Sequence, residues 1–382
     1  MVHNLEEVET IIELAPPFSK LPVSGYGGIE RVVWSIAREL SVRASNDPFA
    51  PKVELWAPGD SETKFESADI HLHPTVEKAT GIVDGLWNTL MRQIPKDMYD
   101  IRRRLTEDRS AVAHLHTPLG MGAMSGAGKD VAFRTLTTFQ SPPPSWALEF
   151  HKDMPVVAVS HAQAKMIKGF DFMHVVYNGI ESDLFKPSYQ TSANAGFSFL
   201  GRFSPDKNPI DAIKIALACD ASIGLAGQFD PNTAMEYADE LKGLINSSGK
   251  RASLVGEVTD LYDSSLGESS KNAFLSSSKA LLFPIKWKEP FGIVIAEANA
   301  CGTPVIAYNY PGSSVDELIV NGVNGYKVNS LDEAIQAAQV ISNIDRRKVR
   351  KYFEENFTSG VMVDKYCKIF TKELPKYCKA SI

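Results

Sequence analysis

Two glutamates, Glu289 and Glu297, stand eight residues apart in the segment Lys288-Glu289-Pro290-Phe291-Gly292-Ile293-Val294-Ile295-Ala296-Glu297, which runs on to Cys301-Gly302-Thr303-Pro304. The segment reads as a loop, a helix and a strand. Pro290 suits the first helical turn, Gly302 the left-handed stop, and Pro304 falls just beyond it. On one continuous helix the two carboxylates would lie ~80° apart. Glu289 sits at or before the helix start, so both can look into a single cleft. The first-turn amides around Phe291 and Gly292 would face the same space and favour an anion there. Carboxylates beside free amides suit a ligand with both hydroxyls and phosphates. The competing reading is an N-terminal cap at Glu289 and a solvated Glu297.

Other groups with chemical promise fall short of a template. Gly120, Gly122, Gly126, Gly128 and Lys129 crowd into one loop, but a phosphate-binding P-loop needs G-x-x-x-x-G-K-[ST]. Here position 123 is Ala, and Asp130 follows the lysine, where a carboxylate would repel phosphate. The pairs His71/His73 and His114/His116 each share a strand face and could ligate a metal, yet neither has a third ligand nearby in sequence. There is no D-x-D pair to hold a divalent ion against a diphosphate. The four cysteines, at 219, 301, 367 and 378, show neither C-x-x-C nor zinc-like spacing, so they read as idle thiols of a reducing compartment.

The elements that must position such residues alternate along the chain. Apolar runs at residues 10–14, 52–56, 111–116, 134–139 and 155–159 read as strands. Between the first two, Ile29, Val32, Val33, Ile36, Ala37 and Leu40 follow the i, i+3, i+4, i+7 rule of an amphipathic helix. A polar stretch at 185–195 reads as a linker. The pattern then restarts with strands at 196–200, 222–226, 252–256, 279–283 and 304–308, with a helix over 208–219. Strand–helix–strand alternation implies a parallel sheet covered on both faces. Two such halves imply two doubly wound domains, whose ligands bind beyond the carboxyl ends of the strands.

Length and composition set the outer bounds. A chain of 382 residues accommodates two domains. With 40 basic against 46 acidic residues, a net charge of −6 argues against general nucleic-acid affinity, which needs phosphate-neutralising cations. The acidic start Met1-Val2-His3-Asn4-Leu5-Glu6-Glu7 is unlike a signal peptide. No apolar run approaches the ~20 residues of a membrane helix. The expectation is a cytoplasmic protein, with peripheral contact to a membrane acceptor left open.

The 288–307 segment resembles the E-x(7)-E signature of retaining glycosyltransferases of the two-Rossmann (GT-B) type, specifically the large family 4. Further matches follow in the family's order. Gly25-Tyr26-Gly27-Gly28-Ile29-Glu30-Arg31 resembles its glycine-rich first loop. Asn178-Gly179-Ile180-Glu181 precedes the linker, and Phe199-Leu200-Gly201-Arg202-Phe203-Ser204-Pro205-Asp206-Lys207 resembles the opening of its second domain. Gly322-Val323-Asn324-Gly325 comes near the end. The resemblance runs from about residue 11 to residue 328.

It implies an α/β fold of two facing Rossmann-like domains with an inter-domain cleft. The first would span 1–190, on the acceptor side, completed by a C-terminal helix in 358–382. The second would span 191–357, on the donor side. The implied reaction moves a sugar from a nucleotide-diphosphate donor to an acceptor, with retention of configuration and no metal or other cofactor. Glu297 would hold the ribose hydroxyls. Glu289 would hold hydroxyls of the sugar, helped by the backbone of Phe291, Gly292 and Ile293. Arg202 and Lys207 would neutralise the diphosphate, Gly27 and Gly28 would let the backbone approach it, and Val258 would contact the base. His116, at a strand end, matches the family's histidine near the donor sugar, with His114 its structural partner. One departure stands out: after strand 134–139 relatives commonly carry a histidine, where this chain has Gln140. Acceptor contacts are expected from the 117–132 loop, and the acceptor could be a glycan, a lipid or a small molecule. The rival readings are a sugar-nucleotide epimerase on the same fold and a catalytically silent sugar-nucleotide-binding protein.

Overall fold

The computed structural model describes residues 8–23, 27–65, 68–80, 93–117, 120–121, 124, 126, 128–143, 145, 147, 152–259, 262–263 and 268–380. The chain divides into two compact units, Met1–Gly179 with Ser359–Ile382, and Ile180–Thr358.

The first unit is built on strands β1 (Thr10–Leu14), β2 (Lys52–Ala57), β3 (His71–Pro74), β4 (Ala111–Leu115), β5 (Thr135–Phe139), β6 (Val156–Ala158) and β7 (Met173–Val175). Among the described residues they form one sheet in the order β3-β2-β1-β4-β5-β6-β7, with parallel pairing throughout. Parallel neighbours need crossover connections, and helices on both faces leave no wet side. Accordingly β4 and β5 are buried at every position. Helix α1 (Gly28–Asn46) buries Val32, Val33, Ile36, Ala37 and Leu40, the stripe its sequence periodicity marks. Helix α2 (Ile94–Glu107) adds Met98, Ile101 and Leu105 to a core with Ile12, Leu115 and Phe139.

The second unit repeats the plan with β8 (Phe197–Leu200), β9 (Ile223–Ala226), β10 (Ala252–Gly256), β11 (Leu281–Phe283), β12 (Val305–Tyr308) and β13 (Gly325–Val328). The order is β10-β9-β8-β11-β12-β13. Helices α3 (Pro209–Ala218), α4 (Ser270–Ser276), α5 (Ile293–Ala300) and α6 (Arg346–Asn356) position its site. In both sheets the strand order reverses beside the first strand of the unit, the switch point at which open α/β sheets bind ligands.

From Ser359 onward the chain packs against the first unit. Helix α7 (Ser359–Lys368) presents Asp364 to Arg43 at 2.7 Å and the Tyr366 hydroxyl to Thr138 Oγ1 at 2.9 Å. Helix α8 (Leu374–Ala380) places the Tyr377 hydroxyl 2.8 Å from His174 Nε2. The polar stretch 185–195 packs on the second unit: Arg350 donates to the Phe185 carbonyl and the Ser188 amide to the Cys301 carbonyl. The four cysteines are unbridged. Among the described residues no helix is long and apolar enough to cross a membrane.

Candidate functional site

The second unit assembles its polar residues at the carboxyl ends of β8, β9 and β11. The chain leaves β8 through Gly201, whose amide donates to the Ala226 carbonyl, and Phe203 then bonds to Gln228. The two strand ends approach so closely that a Cβ on Gly227, at φ +140°, would lie 2.0 Å from the Gly201 carbonyl oxygen. Only glycine fits there, and the contact fixes the strand end that carries Arg202. The following turn closes at Asn208, which takes a left-handed conformation as N-cap of α3, with Pro209 in the first helical position. Asn208 also donates to the Pro284 carbonyl at 3.0 Å, and the Lys286 amide donates to the Asp206 carbonyl at 2.8 Å. Those two bonds tie the 201–208 turn to the segment after β11.

The tie brings Lys207 onto Glu289. The Lys207 ammonium donates to Glu289 Oε2 and lies 4.7 Å from the centre of the Trp287 ring, whose own N–H donates to the same oxygen at 2.9 Å. Cation, carboxylate and indole thus share one part-buried cluster. Arg202 is engaged by Asp230, with Asp206 3.7 Å away, and its side chain is about one-third exposed. Both expected phosphate ligands are thus paired with carboxylates.

Helix α5 begins later than the sequence suggests. Pro290 lies in the preceding loop, and Gly292 is the N-cap at φ +77°, so the first helical residue is Ile293. The reason lies in how the loop is tied on both sides. The Glu289 amide bonds back to the Trp287 carbonyl, and Ser314 holds the loop from the other side through the carbonyls of Glu289 and Phe291. The loop can then enter the helix only through a left-handed residue. The helix does end as expected, with Gly302 at φ +73° just past it. Glu297 sits on the buried face of α5, and its carboxylate accepts from the Lys271 ammonium of α4 at 2.8 Å. Only 3% of the Glu297 side chain and 6% of the Lys271 side chain are exposed. A solvated Glu297 is therefore not what the fold provides, and Glu289 does not cap the helix. Val258 is buried in the loop after β10, which Thr259 fastens to the start of α4.

In the first unit His116 follows the last residue of β4. The register sets Glu13 of β1 directly beside His114. Glu13 Oε1 lies 2.9 Å from His114 Nδ1, and Oε2 lies 2.9 Å from His116 Nε2. All three side chains are fully enclosed. The sequence offered the H-x-H pair no third ligand nearby. The fold supplies Glu13 from the far side of α1, with donor atoms of all three within 4.8 Å of one another. Burial pushes His114 down to about 3 and His116 to about 4, so both rings are neutral at physiological pH. Burial also raises Glu13, against the opposing pull of the His116 hydrogen bond.

Gly27 is the N-cap of α1 and Gly28 its first residue, while Gly25 and Tyr26 of the same motif lie outside the described residues. A Cβ on Gly27 would press against Val23 and Glu30, whereas one on Gly28 would meet nothing within 4 Å. Gln140, at the end of β5, exchanges amide hydrogen bonds with Asn178 in both directions, which an imidazole could not do. In the loop expected to contact the acceptor, Gly122 and position 123 lie outside the described residues. Sequence reasoning missed Glu13, Lys271, Trp287 and Asp230. Glu13 had a signal, since it is the one charge inside the apolar run of β1. Lys271 had none.

Residues 261–359 match the family model described as glycosyl transferases group 1, a span containing both Glu289 and Glu297. The chain carries a group 1 glycosyl transferase region on a GT-B fold. The fold assignment agrees with solved structures. The sucrose-phosphate synthase of Thermosynechococcus elongatus superposes with a TM-score of 0.74 at 16% identity, over 96% of this chain and all of the other. The Anabaena protein HepE, solved with UDP and glucose, gives 0.66 at 16% identity over 96% of this chain and all of the other. By sequence, this chain is 29% identical to the D-inositol 3-phosphate glycosyltransferase of Mycolicibacterium smegmatis over 191 residues, 45% of this chain and 40% of the relative. The Mycobacterium bovis protein of the same description is 26% identical over 298 residues, 68% of this chain and 57% of its own. The chain thus spans between two-fifths and three-fifths of these curated relatives.

Proposed function

We propose that the protein is a retaining glycosyltransferase that takes a sugar from a nucleotide-diphosphate donor without a metal ion. The observation that carries this reading is the pair of lysine-held carboxylates in the second unit, Lys207–Glu289 and Lys271–Glu297, which flank the loop into helix α5. Carboxylates of low exposure, each already accepting from an ammonium, are strong acceptors for sugar and ribose hydroxyls. Glu297 is assigned to the ribose and Glu289 to the donor sugar, with the backbone of Phe291, Gly292 and Ile293 beside it and Val258 against the base.

The diphosphate is assigned to Arg202 and Lys207. Its arrival would draw Lys207 from Glu289 and Arg202 from Asp230, freeing Glu289 for hydroxyls as the phosphates take over the cations. As the glycosidic bond breaks, negative charge grows on the leaving diphosphate, and two preplaced cations stabilise that change more than they stabilise the bound donor. Within the first unit, His116 keeps its assignment to a hydroxyl of the donor sugar. Gly27 and Gly28 keep theirs to backbone approach to the diphosphate. The UDP and glucose named for the Anabaena structure make UDP-glucose the first donor to try.

The test is donor turnover with and without excess EDTA, across a panel of nucleotide-diphosphate sugars. Turnover that survives chelation supports the reading. Loss that magnesium or manganese restores refutes metal independence, and an epimerised donor with no acceptor present would mark an epimerase instead.

A further inference from the structure

The Glu13 cluster is one end of a longer buried chain. His114 Nε2 lies 2.7 Å from Thr138 Oγ1, and that hydroxyl lies 2.9 Å from the Tyr366 hydroxyl on α7. Glu13, His114, His116, Thr138 and Tyr366 are all at most 1% exposed. The chain therefore contains four hydrogen bonds: Tyr366–Thr138, Thr138–His114, His114–Glu13 and Glu13–His116. Each bond needs one proton. The phenol, the hydroxyl and two neutral imidazoles supply one each when Glu13 is a carboxylate. That count closes in a single direction. Tyr366 donates to Thr138, Thr138 to His114 Nε2, His114 Nδ1–H to Glu13, and His116 Nε2–H to the other Glu13 oxygen. A fifth proton would have no bond to occupy.

One atom is left over. His116 Nδ1 is buried and has no hydrogen-bond partner among the described residues. With its proton committed to Glu13 through Nε2, the ring offers a bare lone pair at Nδ1, an acceptor and not a donor. A buried acceptor without a partner is costly, so its persistence calls for an explanation such as a catalytic role.

We infer that Glu13 is a positioning residue that fixes the tautomer of His116, leaving Nδ1 to accept a hydrogen bond from a hydroxyl of the donor sugar. The sugar assignment of His116 comes from the proposed function above, while the tautomer rests on the hydrogen-bond chain alone. Glu13 is suited to the task because a carboxylate accepts at both oxygens. Glutamine at this position would accept at one atom and donate at the other, so one of the two histidines would have to reverse its tautomer.

The experiment uses the full chain labelled with nitrogen-15 histidine and long-range proton–nitrogen correlation spectra, which separate a protonated ring nitrogen from a bare one. In the wild type His116 is expected to carry its proton on Nε2 and His114 on Nδ1. In Glu13→Gln one of the two reverses, with the circular dichroism spectrum retained. A proton on His116 Nδ1 in the wild type, or two unchanged rings in Glu13→Gln, overturns the inference. Turnover of the donor then tests what the lone pair does. In any variant at Glu13, Gln or Leu, whose spectrum places the proton on His116 Nδ1, kcat should fall about tenfold or more with a smaller change in donor KM. Unchanged kcat in such a variant refutes the acceptor role. His116→Ala at wild-type turnover refutes the sugar assignment itself and leaves the tautomer result standing.

Discussion

Replacing Lys271 with methionine tests whether the fold depends on the buried pair behind Glu297. The two groups meet at 2.8 Å with side chains only 6% and 3% exposed, so water cannot screen the charge that remains when one partner is removed. Breaking a buried pair by deleting one member typically costs ~3–5 kcal/mol, because the other is left charged and uncompensated. Against a domain stability of about 5–15 kcal/mol, that is a large fraction of the total. The methionine stem is close in length to the lysine stem, so little packing is lost and the loss reports mainly on charge. The double variant Lys271→Met/Glu297→Leu removes both charges and should recover most of the stability. Urea unfolding followed by circular dichroism, with Trp287 fluorescence reporting on the second unit, measures all three proteins. A cost below about 1 kcal/mol for Lys271→Met, or a double variant less stable than either single one, would mean that the fold does not depend on this pair.

Three further outcomes follow from the same geometry. Arg202→Ala and Lys207→Ala should each lower kcat/KM by roughly 30- to 1000-fold, the ~2–4 kcal/mol of a charge-assisted contact to a leaving diphosphate. The pair should lose less than the product of the single losses, and a single variant above about half of wild-type kcat/KM removes that residue from the site. Glu297→Ala should weaken binding of the bare nucleotide diphosphate in calorimetry while Glu289→Ala mainly slows turnover; equal losses of affinity would contradict the division. In the first unit, burial raises Asp97 to about 6, above its ordinary 3.8, so the folded form takes up this proton first as pH falls. The wild type should therefore gain stability over Asp97→Asn between pH 7 and pH 4, by roughly 2–3 kcal/mol in hydrogen-exchange protection of β1 and β4, and a constant difference would contradict it.

Much of this fold was legible because parallel strands buried on both faces read as short apolar runs. β1, β2, β4 and β5 and their second-unit counterparts fall within a residue or two of the stretches their composition marks. The edge strands β3, β7 and β13 were harder, whereas the edge strand β10 was read at its observed bounds. His71–Pro74 is a polar run, and only its pairing with β2 makes it a strand. The segment carrying Glu289 and Glu297 does fold as a loop, a helix and a strand, but the helix start was misplaced, since Pro290 is as good in a tight loop as in a first turn. Gly292 is left-handed in a loop that is held by Ser314, which lies well beyond the segment. The partners of the site residues were invisible for a related reason. Lys271 reaches Glu297 across 26 positions and Glu13 reaches His114 across 101, contacts made by sheet order and helix packing that no local spacing records.

Binding and turnover of UDP-glucose and its counterparts with other bases and sugars decide whether a nucleotide-diphosphate sugar is the substrate. A matched donor should raise the unfolding temperature, since a ligand bound only by the folded chain stabilises it by mass action, and should release its nucleotide diphosphate in the presence of EDTA. Lys207→Ala should abolish most of that release while leaving the fold intact. A panel in which no donor shifts the unfolding transition and none is consumed, with or without added divalent metal, would contradict the account.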